Sequence, residues 1–224
     1  MRVLLFDIDG TLLNSGGAGQ AAMEDALESA FGVTAPTDGI PVAGRTDRAI
    51  TTDMLKFHNI PITQDNWQLL YEHYLSRLPQ HLESRGGLIL PGVVNLLDQL
   101  AAEASCFLGL LTGNFRRGAE LKLGHFQLSH HFRCGGYGDH HHDRDDVARE
   151  AKQDALQTLG RTEHDDVWVI GDTPNDVKCG RAIGAKVVAV ATGHYTSDEL
   201  RRTQPDYLFE SFTDVATVVE SLIN

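Results

Sequence analysis

Short apolar runs alternate along the chain with longer segments in which apolar residues recur at helical spacing. The continuous apolar runs are typical of buried strands and predict strands at residues 3–6, 106–111, 167–170, 186–191 and 207–209. The helical spacing predicts intervening helices at residues 93–101, 115–124, 148–159 and 174–183. Because strands that alternate with helices form parallel sheets covered on both faces, the predicted fold class is α/β.

A block of helices interrupts this alternation after the first strand. Apolar residues repeat at helical spacing within residues 23–31, 50–57 and 67–78, and Pro79 follows the third of these segments. This part of the sequence has no convincing strand pattern. We therefore expect a catalytic core formed by residues 1–14 and 86–224, with residues 15–85 inserted as a helical cap.

Polar motifs come directly after three of the predicted strands. They are Asp-Ile-Asp-Gly-Thr at residues 7–11, Thr-Gly-Asn at residues 112–114 and Gly-Asp-Thr-Pro-Asn-Asp at residues 171–176. In open parallel sheets, ligands bind at the carboxyl ends of the strands. If the three strands are neighbours, the motifs line one pocket that contains four carboxylates, and this pocket is the candidate site.

The charge of the chain limits the partners that it is expected to bind, and its cysteine content indicates the compartment. The 224 residues include 19 Lys and Arg against 31 Asp and Glu, a formal net charge of -12. A chain this acidic repels nucleic acids and anionic membranes, so neither is an expected partner. No apolar stretch approaches the ~20 residues of a membrane span. The three cysteines are widely spaced and form no Cys-x-x-Cys pair, which favours a reducing, cytoplasmic location.

Four carboxylates in one pocket require a cation. Two like charges ~4 Å apart repel by ~4 kcal/mol at an effective dielectric constant of ~20, so the acids would otherwise take up protons. An oxygen-only ligand set suits Mg²⁺, and no Cys or His cluster offers the tetrahedral set that zinc prefers. We therefore predict Mg²⁺ as the cofactor.

The same residues indicate phosphoryl chemistry. Residues 112–114 lie where a strand turns into a helix, so free backbone amides favour a phosphate there, and Thr112 can donate its hydroxyl. Asp7 is the predicted nucleophile, which forms an aspartyl phosphate. Asp9 lies on the same side of an extended chain and is the predicted acid and base for the leaving oxygen and the hydrolytic water. Mg²⁺ would bridge Asp7, the phosphate and Asp172, while a lysine or arginine neutralises the remaining charge.

The three motifs, with Leu-Pro-Gly-Val at residues 90–93, resemble those of the haloacid dehalogenase superfamily, in the branch similar to phosphoglycolate phosphatase. The resemblance spans nearly the whole chain and implies a Rossmann-like core with an inserted helical cap. It implies that Mg²⁺ is held by Asp7, the backbone carbonyl of Asp9 and Asp172, with Asp176 supporting the metal's waters or a nearby lysine. Gly10, Thr11, Gly113 and Asn114 are the predicted substrate-binding residues.

One catalytic position of the family pattern stays open. Relatives often carry a lysine in a Lys-Pro pair shortly before the last acidic motif, and this chain has no such pair there. Lys122 lies on the helix that follows Thr112, whereas Arg144 lies 32 residues after Thr112, near the usual spacing. Because arginine also binds phosphate, as a bidentate ligand, Lys122 and Arg144 are both candidate catalytic residues.

The expected cap contains the sequence Gly-Arg-Thr-Asp at residues 44–47. Thr46 or Asp47 can cap a helix there, while Arg45 can reach the site and bind the leaving group of a substrate. Specificity is expected to come from the cap, which is the least patterned part of the chain.

The leading hypothesis is a Mg²⁺-dependent phosphoric monoester hydrolase, monomeric or a small homo-oligomer, that acts on a small phosphorylated metabolite similar to phosphoglycolate. The alternatives are a phosphomutase, a haloacid dehalogenase and a non-catalytic phosphate-binding protein. Asp9 argues against the dehalogenase, because that reaction has no leaving oxygen to protonate. The full set of carboxylates argues against a protein that only binds.

Overall fold

The computed structural model describes residues 1–34, 39–163 and 166–223. The strands in these ranges are β1 (Arg2–Phe6), β2 (Leu13–Asn14), β3 (Leu88–Ile89), β4 (Cys106–Leu111), β5 (Gly135–Gly136), β6 (Val167–Gly171), β7 (Lys186–Val190) and β8 (Tyr207–Phe209). The α-helices are α1 (Ala18–Phe31), α2 (Asp47–Phe57), α3 (Gln64–Ser84), α4 (Val93–Ala102), α5 (Arg116–His125), α6 (Arg144–Thr158), α7 (Pro174–Ala182), α8 (Ser197–Arg202) and α9 (Val215–Ile223).

Six of the strands form one parallel sheet in the order β5-β4-β1-β6-β7-β8. The central strand β1 pairs with β4 on one side and with β6 on the other, so that Leu5 lies opposite both Gly109 and Val169. The carboxyl ends of β4, β1 and β6 therefore meet at one edge of the sheet. This topology confirms the predicted α/β class and brings the three polar motifs together.

The two faces of the sheet are covered by different helices. Along β1, Leu4 and Phe6 pack into one apolar cluster with α4 and α9, while Val3 and Leu5 pack into a second cluster with α6 and α7. The alternation follows from strand geometry, because successive side chains point to opposite faces. All four side chains are buried, and burial of each contributes about 1.5–3 kcal/mol relative to exposure. The sheet that carries the polar motifs is thus anchored on both sides.

Helices α1, α2 and α3 form a third apolar cluster of their own. Met23 and Leu27 of α1 pack with Leu70 and Leu78 of α3, and Phe115, which precedes α5, also belongs to this cluster. The third helix does not end at Pro79, where the sequence pattern stopped; it continues to Ser84. Proline removes one helical hydrogen bond, and the burial of Leu82 in the following turn offsets this loss.

The chain enters and leaves the helical segment through the antiparallel pair of β2 and β3, in which Asn14 lies opposite Leu88. Gly16 adopts a φ of 65° beside this pair, and a side chain there would meet the carbonyl oxygen of Arg85. Glycine is therefore required for the two connections to run side by side. Among the helices of the described ranges, none is both long and apolar enough to span a bilayer.

Candidate active site

The turn that follows β1 presents the first acidic motif at the edge of the sheet. Asp7 donates its backbone amide to the carbonyl of Ile170 at 2.9 Å, which continues the β1–β6 pairing. Gly10 has a φ of 85°, and a side chain at this position would collide with the carboxylate of Asp172. The absence of a side chain at Gly10 thus lets the turn approach Asp172, whose Oδ1 also accepts a 3.1 Å hydrogen bond from Thr11 Oγ1.

Three buried carboxylates converge at this edge. One oxygen from each of Asp7, Asp172 and Asp176 lies within 4.8 Å of the other two. Burial raises the pKa of Asp172 to about 8, and the neighbouring charges of Asp176 and Asp7 add to the rise. Burial also raises the pKa of Asp7, although Arg144 opposes the effect. Three acids this close favour either retained protons or a bound cation.

Arg144, the first residue of α6, lies between two of these acids. Its Nη2 is 3.0 Å from Oδ1 of Asp7 and 2.5 Å from Oδ1 of Asp176. The side chain is only 6% exposed, and within the described residues its Nε has no hydrogen-bond partner. Asp176 also forms a capping box with Thr173 at the start of α7, so both of its oxygens accept hydrogen bonds.

Lys122 of α5 pairs with the other acid of the first motif. Its Nζ lies 2.6 Å from Oδ2 of Asp9 and 2.7 Å from Oδ1 of Asn114. The side-chain amide nitrogen of Asn114, Nδ2, donates to the same Asp9 oxygen at 2.8 Å and to Thr112 Oγ1 at 2.7 Å. Partial burial by itself would raise the pKa of Asp9, but the charge and hydrogen bonds of Lys122, aided by Asn114, outweigh it and lower that pKa.

The backbone amides at the start of α5 are largely in use. The amide of Asn114 donates to Thr112 Oγ1 at 3.3 Å, that of Phe115 to Oδ2 of Asp47 at 2.9 Å, and that of Arg116 to Oδ2 of Asp139 at 2.7 Å. The sequence predicts free amides at residues 112–114, but of these the amide of Asn114 is bonded to Thr112 and the amide of Thr112 donates to the carbonyl of Gly136 at 3.1 Å. The hydroxyl of Thr112 and the carboxylates of Asp47 and Asp139 accept the three hydrogen bonds at the start of α5.

The helical segment meets this loop through residues 44–47. The backbone amide of Asp47 donates to the carbonyl of Gly113 at 2.7 Å, and Asn175 Nδ2 donates to the carbonyl of Gly44 at 2.9 Å. A side chain at Gly113 would collide with the carbonyl oxygen of Arg45. The two loops thus approach so closely that only glycine fits at residue 113.

A cavity of about 450 Å³ lies between the acidic edge of the sheet and the helical segment. Nine of the sequence-predicted residues line it: Asp7, Asp9, Gly10, Arg45, Gly113, Asn114, Lys122, Arg144 and Asp172. Three others, Thr11, Thr112 and Asp176, lie buried behind this wall and contact lining residues. Arg45 lines the cavity, but its guanidinium is paired with Asp53 at 2.6 Å and also donates to the Pro41 carbonyl.

The cavity wall also contains residues that the sequence did not assign to the site, and Asp47 and Tyr74 are two of them. The sequence offers Thr46 or Asp47 as a helix cap, and the structure gives the capping role to Thr46, whose side chain accepts the amide of Ala49. Asp47 is instead buried in the cavity wall, and burial raises its pKa to about 7. Tyr74 of α3 lies there too, and its position on an apolar helical stripe carries no signal that separates it from a core residue.

The chain is similar to known proteins along most of its length. The model of a family described as haloacid dehalogenase-like hydrolase matches residues 4–190. A phosphoglycolate phosphatase from Synechococcus elongatus is 28% identical over 232 aligned residues, covering 100% of this chain and 99% of the relative. A pyrophosphatase PpaX from Oceanobacillus iheyensis is 25% identical and covers 98% and 97% of the two chains.

Solved structures share the fold. CbbY from Rhodobacter sphaeroides, in complex with phosphate, superposes with a TM-score of 0.75 at 19% identity, covering 96% of each chain. A hydrolase from Pseudomonas syringae superposes with a TM-score of 0.70 at 22% identity over 100% of both chains. The resemblance to these structures extends over the sheet and the helical segment together.

Proposed function

Because this chain belongs to the haloacid dehalogenase-like hydrolase family, we propose that it is a phosphatase that hydrolyses a small phosphomonoester through an aspartyl-phosphate intermediate. The predicted enzyme class, a phosphoric monoester hydrolase, is that of the curated phosphoglycolate phosphatases that it resembles. The observation that carries the proposal is the pairing of each acid of the first motif with its own buried cation, Asp7 with Arg144 and Asp9 with Lys122.

In the first step, a carboxylate oxygen of Asp7 attacks the phosphorus, and the bond from phosphorus to the leaving oxygen breaks. Asp9 gives a proton to that oxygen, so the leaving group departs as an alcohol. In the second step, water attacks the phosphorus of the aspartyl phosphate while Asp9 takes a proton from the water. The products are inorganic phosphate and the regenerated Asp7 carboxylate.

In the enzyme without substrate, the contacts of Asp9 prepare it for the second step, in which it acts as a base. Its lowered pKa makes Asp9 a carboxylate in the free enzyme, which is the form of a base. A substrate phosphate dianion beside it adds a like charge, and like charges raise the pKa of a carboxyl group. The substrate itself thus promotes the protonated form that the first step needs.

Arg144 is suited to stabilise the charge that develops on the phosphoryl group. Its Nη2 is committed to Asp7 and Asp176, whereas its buried Nε carries an N–H without a partner in the described part of the chain. Because Arg144 lines the cavity beside Asp7, we propose that this N–H donates to a phosphoryl oxygen. Lys122 instead holds Asp9 and Asn114 in position.

The donor set fits a divalent cation. Asp7 and Asp172 offer hard oxygen ligands, and burial, with the neighbouring carboxylates adding to it, raises the pKa of both; a bound cation would offset that effect. Mg²⁺ bound there would neutralise charge on the phosphoryl oxygens and favour the approach of the nucleophile. Both oxygens of Asp176 are already bonded to Arg144 and Thr173, so we assign Asp176 a supporting role through Arg144.

We propose that residues 15–85 act as a cap that closes the cavity over the substrate. Three observations support this role: the separate apolar cluster of α1–α3, the paired connections β2 and β3, and the contact of residues 44–47 with the loop after β4. Exclusion of water by such a cap strengthens the electrostatic interactions inside the cavity.

The test measures inorganic phosphate released from a panel of phosphomonoesters that includes phosphoglycolate, with Mg²⁺ and with EDTA. Mg²⁺-dependent release that is lost in Asp7→Asn supports the proposal. Isomerised product without phosphate release would instead indicate a phosphomutase. Binding of phosphate without turnover of any substrate would indicate a protein that only binds.

A further inference from the structure

Three potential metal ligands meet on the face of the sheet that α4 covers, outside the cavity. Asp98 lies on α4, while His130 and His131 belong to the short 3₁₀ helix Ser129–His131 that precedes β5. One side-chain ligand atom from each of the three residues lies within 4.8 Å of the other two. None of the three residues lines the cavity of the candidate active site, so they form a second, separate cluster.

The two histidines lie away from the acidic edge of the sheet. The backbone amide of Arg133 donates to the carbonyl of Leu108 in the middle of β4, whereas Gly136 pairs with Leu111 at the carboxyl end of that strand. The chain therefore approaches the acidic edge only after Arg133. Phe132 has an extended backbone, which carries the preceding residues toward the amino ends of the strands. A metal bound by the histidines would therefore take no part in chemistry at the acidic edge.

His131 is the buried member of the cluster. It is 7% exposed, and burial lowers the pKa of its imidazole, with the neighbouring His130 adding to the effect. The ring is therefore neutral near pH 7 and keeps the lone pair with which histidine binds metals. Because a neutral ring forms no ion pair with the carboxylate of Asp98, a salt bridge does not explain why these two groups lie together.

The separation of the ligand atoms suits a tetrahedral metal site better than a hydrogen bond. Nε2 of His131 is 3.7 Å from Oδ1 of Asp98. This distance exceeds the ~3.2 Å limit of an ordinary N–H···O hydrogen bond. Two ligands of one tetrahedral Zn²⁺, each bound at ~2.0–2.1 Å, lie about 3.4 Å apart. The rings of His130 and His131 lie side by side with centroids 4.0 Å apart. Asp98 and His130 are exposed, so both side chains have room to close the remaining distance.

We propose that Asp98, His130 and His131 bind one Zn²⁺ ion, with water in the fourth position. Two imidazole nitrogens and a carboxylate oxygen are ligands that Zn²⁺ accepts, whereas Mg²⁺ prefers oxygen alone. The ion joins α4 to the 3₁₀ helix before β5 and stabilises the fold at a distance from the candidate active site. By sequence alone the two histidines form no tetrahedral set, because Asp98 is 32 positions before His130.

The test measures the binding of Zn²⁺ to the full chain by isothermal titration calorimetry in excess Mg²⁺. All measurements use the Asp172→Asn background, because Zn²⁺ would otherwise also compete for the carboxylate cluster at the acidic edge. We expect one Zn²⁺ per chain with a Kd in the micromolar range, which is weaker than in a closed site with four protein ligands. Absence of binding at about 100 μM Zn²⁺ would overturn the site.

Two further substitutions connect the binding to the residues. Asp98→Asn and His130→Asn each remove one ligand at an exposed position, so the fold should tolerate both. We expect each to raise the Kd for Zn²⁺ by at least about tenfold. His140→Asn is the matched control, because His140 is also an exposed histidine beside another histidine but does not belong to the cluster. It should leave the Kd unchanged.

Thermal unfolding measures the stabilising role. Zn²⁺ at a hundredfold excess over Kd should raise the unfolding temperature by about 5 °C, and Asp98→Asn should abolish most of this rise while His140→Asn retains it. An equal rise in these two variants, or an equal Kd in His130→Asn and His140→Asn, would show that Zn²⁺ binds elsewhere and would overturn the site. The proposal does not rest on the proposed phosphatase function, and no readout here depends on turnover.

Discussion

The side-chain nitrogen of Lys122 lies 2.6 Å from Oδ2 of Asp9, although the two residues are 113 positions apart in the sequence. By sequence alone, Lys122 and Arg144 are competing candidates for a single catalytic position. In the structure each contacts a different acid of the first motif, since Arg144 lies against Asp7. The two cations thus divide between the proposed nucleophile and the proposed acid and base.

The first prediction concerns Asp7. Asp7→Asn removes the attacking carboxylate but keeps the shape of the side chain, and Arg144 retains its contact with Asp176. We expect phosphate release to fall at least about 10³-fold while the thermal unfolding curve stays cooperative. Substantial residual turnover would contradict the role of Asp7, and a beryllium-fluoride adduct on the wild-type Asp7 would support it.

The second prediction compares the loss of each buried cation. Arg144→Met leaves Asp7 and Asp176 buried without a counter-charge, so we expect the free energy of unfolding at pH 7.5 to fall by about 3–5 kcal/mol. Lys122→Met should cost less, because the side chain of Asp9 is 39% exposed and water can solvate it. Urea denaturation of both variants, in EDTA, measures the difference; a larger loss for Lys122→Met would contradict it.

The third prediction tests the contact between the loop after β4 and residues 44–47. A methyl group on Gly113 would collide with the backbone of Arg45, so Gly113→Ala should push this segment away from the core. We expect KM to rise about tenfold or more while the core stays folded. Gly124→Ala is the matched control, because nothing lies within 4 Å of a side chain there. Equal effects of the two substitutions would argue against a closed cap.

The fourth prediction uses the raised pKa of Asp47. In the folded chain the carboxyl group of Asp47 keeps its proton up to about pH 7, whereas in the unfolded chain it loses the proton near the ordinary aspartate pKa of 3.8. The folded state thus binds more protons between these values, and the contribution of Asp47 to stability falls as the pH rises through this window. We expect Asp47→Asn to match the wild type in stability below about pH 4 and to exceed it by a few kcal/mol at pH 8. Thermal unfolding at several pH values measures this difference; a constant gap would contradict it.

The fifth prediction concerns the carboxylate cluster. Mg²⁺ that binds Asp7 and Asp172 in the folded state alone should raise the unfolding temperature by about 5 °C at a hundredfold excess over Kd. Asp172→Asn should abolish most of this rise, and Asp65→Asn, on the exposed surface of α3, should retain it. An equal rise in all three proteins would show that the metal binds elsewhere.

Much of the fold could be predicted from local patterns. The apolar runs at residues 106–111 and 167–170 mark β4 and β6 to within a residue, because a strand buried on both faces is apolar at nearly every position. The length of α3 could not be predicted, because its continuation beyond Pro79 depends on packing against α1.

The sequence by itself determined which residues carry the chemistry, since the acidic motifs directly follow strands whose carboxyl ends must meet in a parallel sheet. Only the tertiary structure decided how those residues are paired. Asp9 and Lys122 are 113 positions apart, and the amide of Phe115 meets Asp47 from 68 positions away. Such contacts depend on the exact approach of the helical segment to the sheet. The same approach leaves Tyr74 in a cavity wall, whereas its place on an apolar helical stripe is that of an ordinary core residue.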